Sequence, residues 1–321
     1  MKKRIGFAFL FFGISLFILF LYKFGMEAFQ IIKLNINFYY FFIFVAIVLI
    51  SFLPYVMRFK VIIDSFGKKV SLIQLIKQTI AGFSVSYVTP ASRLGGEPVR
   101  IYMLKKESNI DYITATSSVF IDKFVEILGS ALYGIIGLIL LMQLPGLSLN
   151  FKILFGFLVF LALLLLYWIF HRYKHGKDVI SKVIRFTNIK DHVREIDKQV
   201  HEFFKYKKKI LFKSFMYYVI SGVFFILEFK FLLLSIGVDT SLGELILIIN
   251  VWGILNFVPS PGSIGFLEVG QAGLFHLLQG SSAEGLAMTL VLRSGYLLVV
   301  CLGFFIISKF GIKQFFKKDE G

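Results

Sequence analysis

Apolar runs close to the length of a membrane crossing recur along the whole chain, and that recurrence leaves few folds open. A helix rises about 1.5 Å per residue, so about twenty apolar residues cover a hydrocarbon core of about 30 Å. Runs of this kind occupy residues 5–22, 36–57, 113–142, 151–170, 214–236 and 286–308. A water-solvated surface is hard to build from such a chain: 57% of its 321 residues are hydrophobic, 40 are Phe, and only 17% are charged. The expected class is an all-α integral membrane protein, a polytopic helical bundle. A soluble enzyme, a secreted disulfide scaffold and a disordered tail are excluded. The single cysteine, Cys301, lies in an apolar run; it allows no intrachain disulfide and no cysteine-based metal site. Neither a metal nor a cofactor is expected.

Charge then sets the orientation. The net charge is +16, from 35 Lys+Arg against 19 Asp+Glu, a balance that in a soluble protein would raise the question of nucleic acid. Here the basic residues fall between the apolar runs, which is the positive-inside pattern with anionic lipid headgroups as counter-charge, so no nucleic-acid partner is expected. Lys2, Lys3 and Arg4 place the N-terminus inside. The first run is longer than a signal-peptide core and no small-x-small cleavage site follows, so it reads as an uncleaved span. The chain is expected to leave near Lys23 and return to a cytoplasmic loop holding Arg58, Lys60, Lys68 and Lys69. Residues 70–90 are apolar but carry Gln74, Lys77 and Gln78, and basic residues flank both sides, so this segment reads as re-entrant from the inside. The Lys/Arg-free turn 143–150 lies outside, and the densely basic loop 171–213 lies inside. In that loop Val179, Val183, Phe186, Ile189, Val193, Ile196, Val200 and Phe203 recur at steps of three and four. They form an amphipathic helix that lies on the inner leaflet or on the bundle. His171, His175, His192 and His201 read as solvated. Residues 245–257 are too short to span, break at 259–265 and continue over 266–278 between two Lys/Arg-free loops, an outer re-entrant pair. The tail with Lys309, Lys313, Lys317 and Lys318 returns inside. The result is six full spans plus two re-entrant broken-helix segments in the cell (plasma) membrane, with both termini cytoplasmic.

In order, the elements read span, span, inner re-entrant, span, then span, span, outer re-entrant, span. One transmembrane domain, 1–321, thus divides into halves 1–150 and 151–321 related as inverted repeats. Short Gly/Pro-interrupted segments at equivalent places in such repeats point to an alternating-access transporter with its site at the repeat interface. The two breaks are expected to meet near the middle of the membrane, where one polar cavity satisfies both.

Charged residues at membrane depth need a partner, a cavity or a route to the interface, since each costs about 2.5–3.5 kcal/mol at a helix centre. The candidates are Asp122 and Glu126, which share a face that Lys123 does not, together with Glu228, Lys230, Glu268 and Arg293. Asp122 and Glu126 either contact substrate or pair internally with Arg293 or Arg100. Lys230 and Glu228 lie toward the outer end, where Lys reaches the interface. In the first break, Arg93, Gly95, Gly96, Glu97, Pro98 and Arg100 read as a phosphate cradle at a helix start, with the glycines bringing backbone close to a ligand. In the second, Pro261, Gly262 and Gly265 read as an uncapped half-helix end. Tyr87, Tyr102 and Trp252 either line the same region or anchor at the interface.

These motifs carry a family resemblance. Residues 94–100 (Leu-Gly-Gly-Glu-Pro-Val-Arg) followed by Tyr102, then 122–126 (Asp-Lys-Phe-Val-Glu), then 259–265 (Pro-Ser-Pro-Gly-Ser-Ile-Gly) with Glu268, resemble the membrane region of lysylphosphatidylglycerol synthases, the flippase domain of MprF-type proteins, and its stand-alone UPF0104 relatives. The resemblance covers nearly the whole chain. It implies movement of aminoacylated phospholipid between leaflets, with Glu97, Arg100, Asp122, Glu126, Pro261, Gly262, Gly265 and Glu268 at motif positions. Ser260 and Ser263 stand where Thr and Gly are more usual, which bears on headgroup preference. The soluble synthase domain of the two-part proteins is expected to be missing, because the longest water-exposed stretch has about forty residues, too few to fold alone. No Ser-His or Cys-His pairing falls within the spans. The expectation is a non-enzymatic lipid flippase or transporter acting on membrane phospholipid or a lipid-linked substrate. The alternative is an accessory subunit that presents such a lipid to a separate glycosyltransferase or synthase.

Overall fold

The computed structural model describes residues 2–90, 94–144, 147–176, 179 and 190–318. They form helices α1 (Lys2–Asn35), α2 (Phe38–Ile50), α3 (Phe52–Asp64), α4 (Leu72–Val88), α5 (Glu97–Ser108), α6 (Tyr112–Gln143), α7 (Leu149–Lys174), α8 (Lys190–Tyr206), α9 (Lys208–Ser235), α10 (Leu242–Leu255), α11 (Phe266–Gln279) and α12 (Ser282–Lys318), with a 3₁₀ turn at Pro261–Ser263. No strand occurs among the described residues. Six stretches are long and apolar enough to cross a membrane: Phe11–Asn35, Phe38–Asp64, Tyr112–Gln143, Lys152–Lys174, Lys208–Ser235 and Ser282–Gly311. The protein is therefore an all-α polytopic membrane protein, with spans where the apolar runs predict them. Helix α10 is apolar but short, as its sequence requires.

Helix limits follow local chemistry. Asn37 caps α2 by accepting hydrogen bonds from the Tyr39 and Tyr40 amides, and Ser241 with Glu244 forms a reciprocal cap on α10. Two boundaries differ from expectation. Helix α1 continues past Lys23 to Asn35, with no Pro to interrupt it. The second span runs on as α3 to Asp64, so Arg58 belongs to a helix and not to a loop. Pro54, with no N–H to give to residue 50, marks the junction of α2 and α3.

The chain divides into two compact units. The first comprises Met1–Phe52, Thr79–Val99 and Val223–Gly321; the second comprises Leu53–Gln78 and Arg100–Gly222. Neither coincides with residues 1–150 or 151–321.

In the first unit, α12 packs against α1, α2 and α11, and α11 against α10 and α1. In the second, α6, α7 and α8 pack on one another around Ile121, Phe124, Leu166, Tyr173, Val200, Phe203 and Phe204. The amphipathic helix thus lies on the bundle. Its buried Asp197 accepts hydrogen bonds from the Tyr173 hydroxyl (2.6 Å) and the Val179 amide (3.3 Å), which hold the loop end in place. His171, His175 and His192 are exposed, whereas His201 is half-buried with its Nδ1 on the Tyr173 carbonyl. Val183, Phe186 and Ile189 lie outside the described residues.

Candidate functional site

Each unit holds one buried cluster of opposite charges. In the second unit, α6 presents Asp122 and Glu126 one turn apart on one face, and α3 presents Tyr55 and Arg58. Arg58 is fully buried; its Nε donates to Asp122 Oδ1 at 2.7 Å and its Nη2 to Glu126 Oε2 at 3.4 Å. Arg100, on α5, is 3% exposed and donates from Nη1 to Asp122 Oδ2 at 3.2 Å. Asp122 therefore bridges two arginines. Glu126 accepts further hydrogen bonds from the Tyr55 hydroxyl and from Lys123 Nζ at 3.1 Å. The guanidiniums also lie over aromatic faces, Arg58 4.0 Å from the Tyr55 ring centre and Arg100 4.4 Å from that of Phe59, contacts that favour a desolvated cation. Arg58 Nη1 is buried and has no hydrogen-bond partner among the described residues.

In the first unit, Arg293 on α12 meets Glu268 on the first turn of α11, with Nε and Nη2 both 2.6 Å from Glu268 Oε1. Its Nη1 donates to the Gly262 carbonyl (3.0 Å) and the Tyr87 hydroxyl (3.2 Å). Glu268 has its other oxygen on the Gly265 amide at 2.7 Å. A cation, a carboxylate and the interrupted backbone are thus locked to one another. Gly262 (φ 53°) and Gly265 (φ 83°) supply the left-handed conformations that the interruption needs.

The sequence-based assignments divide accordingly. Asp122, Glu126 and Arg100 come together, as do Glu268, Arg293, Gly262 and Gly265, with Pro261 opening the 3₁₀ turn. Internal pairing joins Asp122 to Arg100, whereas Arg293 is taken by Glu268. Lys123, read as facing away, reaches Glu126 across one turn because its four-carbon stem is long enough. Arg93 lies outside the described residues.

The geometry of both breaks differs from the reading of open ligand cradles. At the first, Gly95 is half-buried in the turn before α5, and Glu97 opens that helix. The Gly96 amide donates to Ser86 Oγ at 2.9 Å and the Glu97 amide to the Leu94 carbonyl at 3.2 Å, so these N–H groups already have acceptors. A β-carbon on Gly96 would fall 1.7 Å from the Gly82 carbonyl oxygen, and one on Gly265 would fall 1.9 Å from that of Gly13. These glycines bring backbone close to backbone. At the second break the end of α11 is capped by its own Glu268. Both breaks touch the last turn of α4: Ser86 bonds Gly96, and a β-carbon on Gly262 would lie 3.2 Å from the Tyr87 ring. Tyr87 is thus part of the cluster and not an interface anchor. Trp252 is buried against Phe225, Phe229 and Tyr296, while Tyr102 is exposed.

Sequence reasoning missed Arg58 and Tyr55. A signal was present: Val56, Phe59, Ile62 and Ile63 continue a helical apolar face beyond residue 57, which places Arg58 inside a helix.

The family described as the lysylphosphatidylglycerol synthase TM region matches residues 5–303. The chain belongs to that family. It is also similar to UPF0104 membrane protein PH1989 of Pyrococcus horikoshii, at 23% identity over 303 residues that cover 88% of this chain and 90% of that protein. No solved structure gives a significant match. Both charge clusters and both breaks lie within the span that the family covers.

Proposed function

We propose that the protein moves phospholipid, aminoacylated phosphatidylglycerol included, between the two leaflets of the plasma membrane, without catalysing a covalent step. The observation that carries this reading is the Arg58 guanidinium. It lies in a helix of a membrane span, fully buried, with two carboxylates bound and one nitrogen lacking an acceptor among the described residues. An unsatisfied buried donor costs about 1–3 kcal/mol, and more where it is charged. A phosphate oxygen satisfies it. The same cluster offers Asp122 and Glu126 to a cationic headgroup, so a lipid carrying both charges can replace the internal ion pairs one for one as it passes. The Lys and Arg distribution supports cytoplasmic termini.

The test is reconstitution of the whole chain into liposomes containing fluorescent phospholipids of different headgroups, with a membrane-impermeant quencher added outside. The expected result is loss of inner-leaflet protection, fastest for lipids that carry both a phosphate and an amine. Protection equal to that of protein-free liposomes for every headgroup contradicts the proposal.

A further inference from the structure

Glu228 differs from the carboxylates of the two charge clusters. Asp122, Glu126 and Glu268 each have an arginine within 3.4 Å. Glu228 is 1% exposed, and its partner among the described residues is a neutral phenol, with Tyr296 Oη donating to Oε1 at 2.7 Å. It lies in the span Lys208–Ser235, seven residues before the Ser235 end and so about 10 Å inside it. The charged and titratable groups around it are otherwise engaged. Lys230, on the same helix, is bound to Asp239 and the Thr240 carbonyl, and Arg293, one turn before Tyr296 on α12, is held by Glu268. From α4, the Tyr87 hydroxyl accepts from Arg293, and from α10 Trp252, which packs on the neighbouring Phe229, carries no charge. Tyr40 on α2 meets α9 through Phe231.

A carboxylate in such surroundings is stabilised by one hydrogen bond and no cation, whereas the neutral acid needs no counter-charge at membrane depth. The geometry points to Glu228 as a proton-binding site whose occupancy is linked to the Arg293–Glu268 cluster at the second break of the same unit, and through it to lipid movement; the linkage rests on the flippase reading, the proton site does not. The link is physical. Tyr296 sits in edge contact with Tyr87, ring centres 6.4 Å apart at 81°, and Tyr87 bonds Arg293, which holds the Gly262 carbonyl. An ionised Glu228 draws on the Tyr296 hydroxyl more strongly, and Tyr296 and Arg293 share one face of α12.

Two measurements on the intact protein in lipid separate the claims. Infrared difference spectra across the neutral pH range should show a protonated-carboxyl band that is absent in Glu228→Gln and displaced in Tyr296→Phe. Identical spectra for wild type and Glu228→Gln overturn the proton site. In liposomes, an imposed pH gradient should change the wild-type rate of lipid movement several-fold and leave Glu228→Gln, folded to the same yield, indifferent to the gradient. An equal response in both proteins overturns the linkage. If the infrared band is present while wild type moves no lipid under any gradient, the flippase reading fails and the proton site stands.

Discussion

The cluster around Asp122 and the cluster around Arg293 use the same residue types in opposite ways. The first is built from side chains on helices, with two arginines on one aspartate and Arg58 Nη1 without an acceptor among the described residues. The second is anchored to a broken backbone: Arg293 reaches the Gly262 carbonyl, and Glu268 reaches the Gly265 amide. Partners on flexible side chains can be exchanged for a ligand's groups without moving a helix. Partners on the main chain cannot be exchanged without reshaping the break. On the proposed flippase reading, headgroup exchange falls to the first cluster and the shape of the second break to the second.

The largest expected difference is in stability. Arg58→Ala leaves Asp122 with Arg100 and Glu126 with Lys123 and Tyr55, and should cost about 2–3 kcal/mol. Arg293→Ala should cost more, about 3–5 kcal/mol, because buried Glu268 is left with the Gly265 amide and no cation among the described residues. Thermal unfolding of both variants in one detergent measures this, and equal losses would break the comparison. Next in size is Gly265→Ala, which meets the Gly13 carbonyl from a left-handed backbone and should cost about 2–4 kcal/mol. Gly280→Ala, also left-handed but in open space, should cost only about 1–2 kcal/mol. Smaller again is Tyr87→Phe, which removes one hydrogen bond to Arg293 and should cost about 1 kcal/mol. It should slow lipid movement by altering the break rather than headgroup choice.

The smallest effect lies outside both clusters, at Asp111, which caps α6 through the Thr114 amide. Burial opposes ionisation of its carboxyl, but the hydrogen bonds from Thr114 and the charge of Lys68 outweigh it and hold the group below the usual carboxylate range. A lowered folded-state pKa means that its contribution is present above the unfolded value of about 3.9 and is lost as pH falls through the folded value. Asp111→Asn should therefore flatten the acid limb of the stability profile below about pH 4 while leaving lipid movement unchanged.

Much of the fold was legible because crossing a membrane imposes a length and a polarity that each run shows by itself. The six spans and the short α10 follow from residues 5–308 read one window at a time. The sites were less legible because partner choice is tertiary. Asp122 and Glu126 announce a need for cations, but nothing local says that Arg58 supplies one, and the flanking Lys60, Lys68 and Lys69 make its neighbourhood resemble a loop. Glycine is ambiguous in the same way. Gly96 and Gly265 signal close approach, and sequence alone does not distinguish a ligand from the backbone at Gly82 or Gly13 that approaches them. Glu228 and Lys230 looked like companions at one helix end, yet their hydrogen bonds go to different elements.

The most direct measurement is the rate of headgroup movement in liposomes carrying Arg58→Lys. The substitution keeps a buried cation beside Asp122 and Glu126 but removes the planar fork that bridges both carboxylates and leaves a nitrogen over. The account predicts a protein inserted and folded to wild-type yield whose lipid movement falls by at least about tenfold, the equivalent of one lost charge-assisted bond of about 1.4 kcal/mol. Lipid movement at the wild-type rate, at equal protein per liposome, would contradict it.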